Sequence, residues 1–548
     1  MNKQALYHKS DSLYSFALDD DTVEIRLRAA KNDLEGVDIL YGVKHFFCTE
    51  RHTARMELCL SDDLFDYFVI RLKLADKRLA YVFLLKARDG KQYYFSEDGA
   101  TESYDFSLAY YNFFQLAFVN RGDVMPRVDW LSRAVVYQIF VDRFYRGGDG
   151  DTAYINLEWG AKPTPKSFAG GDLDGIRQKL DYLIGLGVNT LYLTPIFTSV
   201  SNHKYDISDY YNVDPHFGGN EAFSRLMAAC KARGVRVILD AVFNHCSEKI
   251  DLFQDVIKRG AASPYHDWFV IHGDKPQKRP LNYEVFAACD YMPKWNTSNP
   301  EVAEYLCKIG EYWIKNYGID GWRLDVSDEV SHSFWRKFRE RIKACGKDIA
   351  LIGENWHDSR SYLRGDEFDS IMNYAFTKAM TDYFVNSTLT AQGLCDRLSA
   401  LVMRNMTQVN HMMLNLIDSH DTHRFYTLCG KDKRKLINAL AIELFMPGAT
   451  MVYYGTEIPL EGGYDPDSRR CFMWDEHAFT AEVKALLKYK KLRALADGDV
   501  AFFEDNGVLI VERRTEGQTA TLLVNNTDKK RTARGVSVDA GAYVITVI

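Results

Sequence analysis

GIDGWRLDV, residues 318–326, is a short apolar run that carries Arg323 and Asp325 at alternate positions. A strand's period of two puts both charges on one face. Two later stretches repeat the design: IALIGENWH (349–357) reaches Glu354, and NLIDSHDTHR (415–424) reaches Asp421. Each acid stands at or just past the end of a strand-like apolar run. Burying carboxylates there is costly unless they are paired or put to use. Acids at the ends of successive strands suggest the active face of a (β/α)₈ barrel.

Working outward, strands and amphipathic helices alternate from about residue 130, the pattern of a parallel sheet. VVYQIFVDRF reads as the first barrel strand, VNTLYLTPIF as the second, and VRVILDAVFNH as the third, after a helix over Ala222–Arg233. Residues 246–300, rich in aromatics and Pro, are too long for a βα loop. A helix over Glu301–Tyr317 then leads to GWRLD (fourth), IALIGEN (fifth), FDSIMNY (sixth), HMMLNLID (seventh) and ATMVYYG (eighth). The first 122 residues carry TVEIRLRAA, RMELCL, YFVIRLKLA and LAYVFLLKA between Asp/Gly/Lys turns, which reads as a β-sandwich. VLIVERR, TATLLVNN and AYVITVI predict a small β domain over 497–548. The expected fold class is α/β: a (β/α)₈ TIM barrel over 123–496, with an N-terminal β-sandwich, a small domain inserted after strand 3 and a C-terminal β domain.

A chain of 548 residues suggests about three or four structural units. A net charge of −7 leaves no footprint for nucleic acid or an anionic membrane. The first twenty residues lack an apolar core behind a basic start, and no window approaches the ~18 apolar residues of a membrane span. The ten cysteines are scattered, without paired or metal-like spacing. A cytoplasmic protein with reduced cysteines is expected.

GWRLD, GENW, SHD and DAVFNH (Asp240–His245) resemble the signature segments of the α-amylase family, glycoside hydrolase family 13. The resemblance covers nearly the whole chain and implies cleavage of α-glucosidic bonds. It makes Asp325 the nucleophile, Glu354 the acid/base and Asp421 the third acid. Physical chemistry fits those roles in outline: an arginine beside Asp325 lowers its pKa, while burial and a neighbouring acid raise that of Glu354. The resemblance further implies that His245 and His420 donate to sugar hydroxyls, that Asp240 supports Arg323, and that Tyr205 stacks under the reacting ring. Phe286, Glu329 and Trp356 match residues on the acceptor side, and Asp465 with Arg469 matches a pair gripping the glycone.

MPKWN (Met292–Asn296) is similar to the MPKLN stretch of the neopullulanase–cyclomaltodextrinase–maltogenic amylase group, with Trp295 in place of Leu. The N-terminal block is similar to that group's starch-binding module. Expected partners are therefore α-glucan oligosaccharides and cyclodextrins, and a second copy of the chain in a homodimer through the N-terminal domain. No cofactor is expected to be required. A structural calcium held by Asp149, Asp151, Asp172 and the Gly170 carbonyl is implied by some family members, although Arg146 stands where an Asn would be expected. Two rival readings remain at this point: an α-glucosidase or α-1,6-acting relative, and a non-catalytic homologue serving in binding or transport.

Overall fold

The computed structural model describes residues 1–548. Its central sheet is made of eight parallel strands: β1 (Val135–Ile139), β2 (Thr190–Leu193), β3 (Arg236–Ala241), β4 (Gly321–Leu324), β5 (Ala350–Gly353), β6 (Ser370–Ile371), β7 (Leu414–Leu416) and β8 (Ala449–Tyr453). Hydrogen-bonded neighbours run β6-β5-β4-β3-β2-β1-β8-β7. Met372, just past β6, bridges Leu414 of β7 in parallel, and the Asn373 N–H donates to the Leu414 carbonyl at 2.8 Å. That contact brings the two ends of the sheet together. The strands are apolar on both faces, as a sheet wrapped by helices requires, and each expected barrel strand lies where the sequence placed it.

The helix feeding β4 shows how the chain fixes its register. Asn299 caps helix α1 (Pro300–Tyr317), Pro300 opens it, and Gly318 ends it at φ 69°. A left-handed C-terminal residue is the conformation glycine adopts without a Cβ penalty. Two residues separate that stop from β4, so the position of Arg323 follows from where the helix ends. Gly321 opens β4 under tight conditions: a Cβ there would lie 3.0 Å from the Ala350 carbonyl oxygen on β5.

Between β3 and α1 the excursion over 246–300 holds one α-helix, Asp251–Arg259, two short 3-10 turns and isolated bridges such as Phe269–Trp295 and Val285–Pro293. Trp295 is 1% exposed and stacks on Phe269 with centroids 4.8 Å apart. The departure from Leu at this position is thus a packing change inside the excursion.

The chain divides into two compact units, and they do not follow chain order. One spans Val128–Asn386 and His411–Gly498; the other joins Met1–Arg127 and Asp499–Ile548 with Ser387–Asn410. Helix Ala391–Met403, inside the 123–496 block expected from sequence, thus belongs to the unit formed by the chain's two ends. In the second unit, two antiparallel sheets pack Val23, Ile25, Leu27, Val37, Ile39 and Phe83 into a shared core. A four-stranded antiparallel sheet formed by Asp499–Asp505, Val508–Thr515, Gln518–Val524 and Tyr543–Val547 lies against helix Ala391–Met403, whose Leu394, Leu398 and Leu401 are buried. That helix leaves the barrel sequence because its apolar face is covered by the terminal β strands.

A buried ion network ties the three pieces of this unit together. Glu24 accepts from Arg26 at 2.8 Å, from Arg71 at 3.0 Å and from the Thr407 hydroxyl at 2.9 Å. Arg26 also donates to the Asn405 carbonyl at 2.7 Å, and Arg71 reaches Asp499 at 2.7 Å. Burial would push the Glu24 carboxyl up, but the two arginines hold it below the usual range. Removing one member of such a cluster leaves a buried charge without compensation, which costs about 3–5 kcal/mol. Glu24→Ala is therefore expected to lower the first denaturant midpoint markedly, with Glu24→Gln intermediate. An unchanged midpoint would show that the three pieces are held by packing alone.

Candidate active site

Strand register builds the site. Asp240 on β3 lies opposite Arg323 on β4. The wholly buried Arg323 donates through Nη1 to Asp240 at 3.0 Å and to Asp325 Oδ1 at 2.7 Å. Its Nη2 lies 2.7 Å from Glu354 Oε1 and 3.8 Å from Asp421 Oδ2, in ion-pair range though not aligned as a hydrogen bond. One guanidinium thus faces four carboxylates. Asp325 Oδ2 is buried and has no hydrogen-bond partner.

Val326, directly after Asp325, sits at φ 44°. A β-branched residue there is strained, and the strained peptide donates its N–H to Glu354 Oε2 at 2.9 Å. The turn therefore ties the end of β4 to the acid that ends β5.

The electrostatics differ in one respect from the expectation. Burial pushes Asp325 well above the usual carboxylate range; Arg323 opposes this, and Glu354 and Asp240 reinforce it. The downward shift expected from Arg323 does not win, because the burial of the Asp325 carboxyl outweighs it. Glu354 is also raised, by burial first, with Arg323 opposing and Asp421 adding to the rise. Asp240 is pushed up to about 6, chiefly by burial. Asp325, Glu354 and Asp240, this close together, titrate as a group rather than singly.

Around the acids, His245 is lowered to about 3 by burial, with Lys294 contributing, so it is neutral, and its buried Nε2 has no protein partner. His420 is likewise held neutral by burial and Arg469. Its Nδ1 lies 2.9 Å from the Gln138 amide nitrogen, and its Nε2 lies 2.5 Å from the Tyr205 hydroxyl. Tyr205 also donates to Asp240 at 2.9 Å, and its ring lies parallel to that of His420 within 3°. On one side of the acids, Arg469 reaches Asp421 at 3.3 Å and Asp465 at 2.9 Å. Elsewhere, Phe286 stacks on His245 at 4.7 Å, and the 44%-exposed Trp356 lies flat on Tyr374 at 3.7 Å. Glu329 pairs with Lys294 at 3.1 Å.

Two family models match the chain: "Alpha amylase, catalytic domain" over residues 138–496 and "Alpha amylase, N-terminal ig-like domain" over residues 1–120. The chain belongs to the α-amylase family. It is a glycoside hydrolase. A cyclomaltodextrinase of Geobacillus thermopakistaniensis (strain MAS1) is 40% identical, covering 100% of this chain and 95% of that protein. Neopullulanase 2 of Thermoactinomyces vulgaris is 38% identical over 96% of this chain and 92% of its own length. A solved cyclomaltodextrinase superposes with a TM-score of 0.93 at 36% identity, covering 97% of this chain and 93% of that one.

Within this α-amylase fold Asp240, Asp325, Glu354 and Asp421 gather around Arg323, while the four residues named for calcium are not among its partners. Asp172 caps a short helix, Leu173–Gln178, and its carboxylate accepts N–H groups from Gly147, Gly148 and Gly175 at 3.2, 2.8 and 2.6 Å. Those N–H groups already claim its oxygens. Asp151 closes its own turn on the Ala153 N–H, and a Cβ on Gly170 would lie 3.7 Å from the Arg146 side chain. No group of three or more His, Cys, Asp or Glu converges to hold a metal. The donor set does not fit calcium.

Sequence reasoning missed several residues of the site. Tyr192 donates to Asp240 at 2.7 Å, Lys294 bonds the Asn244 side chain beside His245, and Tyr374 backs Trp356. Lys294 lay inside a motif already singled out; the others carry no local signal. Because the Asp421 charge raises Glu354, Asp421→Asn is expected to lower the Glu354 pKa. A ¹³C titration of that carboxyl measures the shift. A pKa that stays or rises would show that burial alone sets it.

Proposed function

We propose that this protein is a retaining α-glycoside hydrolase of the cyclomaltodextrinase/neopullulanase type. It cleaves α-1,4-glucosidic bonds of cyclodextrins, pullulan and maltooligosaccharides, with transglycosylation onto sugar acceptors as a side activity. The observation that carries the reading is Asp325, held by Arg323 through Oδ1 while its buried Oδ2 is left free.

In this mechanism Asp325 Oδ2 attacks the anomeric carbon. The bond to the leaving sugar breaks, and Glu354 gives its proton to the departing oxygen. The aligned bond from Arg323 favours the arrangement with the charge on Asp325 and the proton on Glu354. A water then attacks the glycosyl ester, Glu354 takes a proton from it, and Asp325 is released with the anomeric configuration retained. His245 Nε2, buried and unpartnered, is placed to meet a sugar hydroxyl. Asp421 and His420 hold the reacting ring's other hydroxyls, and Arg469 with Asp465 grips the glycone unit beyond it.

The names and lengths of the relatives support this substrate class over the α-glucosidase and α-1,6-acting readings, and the intact set of acids argues against a non-catalytic homologue. Products released from pullulan would separate the two hydrolytic readings. We also propose a cytoplasmic location, supported by ten cysteines that all stand free, and a homodimer formed through the N-terminal domain.

Asp325→Asn and Glu354→Gln should each lower kcat on β-cyclodextrin by at least about three orders of magnitude with the fold retained, the scale of losing a covalent or proton-transfer step. Near-native turnover in either variant would sink the assignment. Early-time NMR of maltotriose hydrolysis should show the α-anomer first. A β-anomer would mean single displacement by water across a wider carboxyl gap.

A further inference from the structure

Beside the acids lies a feature that neither the mechanism nor the residues inferred from sequence account for. Tyr464 is 63% exposed, yet the loop carrying it is firmly held. The Gly462 N–H donates to the Thr427 hydroxyl at 2.9 Å, and the Gly462 carbonyl accepts from the Arg424 N–H at 3.1 Å. The Gly463 N–H donates to the Asp467 carboxylate at 2.7 Å, and the Asp467 N–H returns to the Tyr464 carbonyl at 2.9 Å. The turn is so tight that a Cβ on Gly462 would lie 2.5 Å from the Asp467 carbonyl oxygen.

The place of this ring matters as much as its rigidity. Tyr464 directly precedes Asp465, which pairs with Arg469, which in turn reaches Asp421. Its ring lies 5.6 Å from that of His423, two residues after Asp421, tilted by 42°. Two exposed rings therefore stand together on the rim at the Arg469 side of the acids. An exposed aromatic is unremarkable by itself. A large apolar face held on a braced loop next to a polar sugar grip is a different matter, since a ligand meeting it loses little ordering entropy.

We propose that Tyr464, flanked by His423, is a specificity-determining stacking platform for an α-glucosyl unit on the non-reducing side, one unit beyond that held by Asp465 and Arg469. The ring covers the sugar's apolar C–H face, while Asp465 and Arg469 hold the hydroxyls of its neighbour. The residue then acts on chain length and leaves the chemical step alone. This inference rests on the glycosidase reading of the Asp325–Glu354 site.

The test compares wild-type protein with Tyr464→Ala and Tyr464→Trp on maltotriose, maltotetraose and maltopentaose, the last labelled at its reducing end to locate the cleaved bond. A lost stacking contact of this kind is worth about three- to tenfold. Tyr464→Ala is expected to lower kcat/KM on maltopentaose by that factor, through KM, while maltotriose is unaffected. Cleavage should shift toward bonds that leave fewer units on the non-reducing side, and Tyr464→Trp should restore the native pattern. An equal loss on all lengths would overturn the proposal in favour of a structural role. A gain on maltopentaose would overturn it in favour of a wall. Failure of the wild-type protein to cleave any of the three would refute the glycosidase reading itself, a result distinct from both.

Discussion

A single guanidinium organises the site. Arg323 is fully buried and faces Asp240, Asp325, Glu354 and Asp421, so one positive charge answers four acids. Burial raises Asp240, Asp325 and Glu354 above the usual carboxylate range, and Arg323 opposes each of these shifts. Burial thus favours the protonated forms of Asp240, Asp325 and Glu354, the form in which Glu354 can act as a proton donor.

The cost of this arrangement is borne by the barrel. Asp325 Oδ2 and His245 Nε2 are buried without partners, and Val326 is held in the left-handed region. Unsatisfied buried polar atoms and strained backbone are each unfavourable by roughly 1–3 kcal/mol. They persist because β3, β4 and β5 are locked in parallel register on both sides, with Asp240 opposite Arg323 and Arg323 opposite Ile352. The turn at Val326 also donates its N–H to Glu354, which ties the end of β4 to the acid that ends β5.

Much of this was legible from residues alone, for a physical reason. Buried parallel strands are nearly continuous apolar runs, so a charge at their end stands out, as Arg323, Asp325, Glu354 and Asp421 do, whereas Asp240 and His245 are legible only through the family resemblance of DAVFNH. What could not be read depends on contacts distant in sequence. Helix Ala391–Met403 looks like any other barrel-layer helix until the terminal strands that cover it are placed. Asp172 has the residue type of a calcium ligand, yet three backbone N–H groups claim its oxygens. The direction of the Asp325 shift is hidden for the same reason: Arg323 is visible beside it in the sequence, whereas the complete burial that outweighs the arginine appears only in space.

The groups around the acids differ in how firmly they are held, and the difference bears on the proposed chemistry. Arg469 is nearly buried, bonded to the His420 carbonyl at 2.9 Å and paired with two acids, and the loop beside it is braced by its own hydrogen bonds. Trp356 rests on Tyr374 by stacking, and the Glu329 side chain is 52% exposed with Lys294 as its ion-pair partner. A rigid grip is suited to the sugar that must be held at the anomeric carbon through two displacements, since misplacement there costs rate directly. A looser, aromatic and solvent-facing side suits the group that has to leave after the first displacement and be replaced by water or by another sugar. On the proposed reading, that asymmetry lets one set of acids open a cyclodextrin ring, cut a short linear chain and pass a glycosyl group to an acceptor.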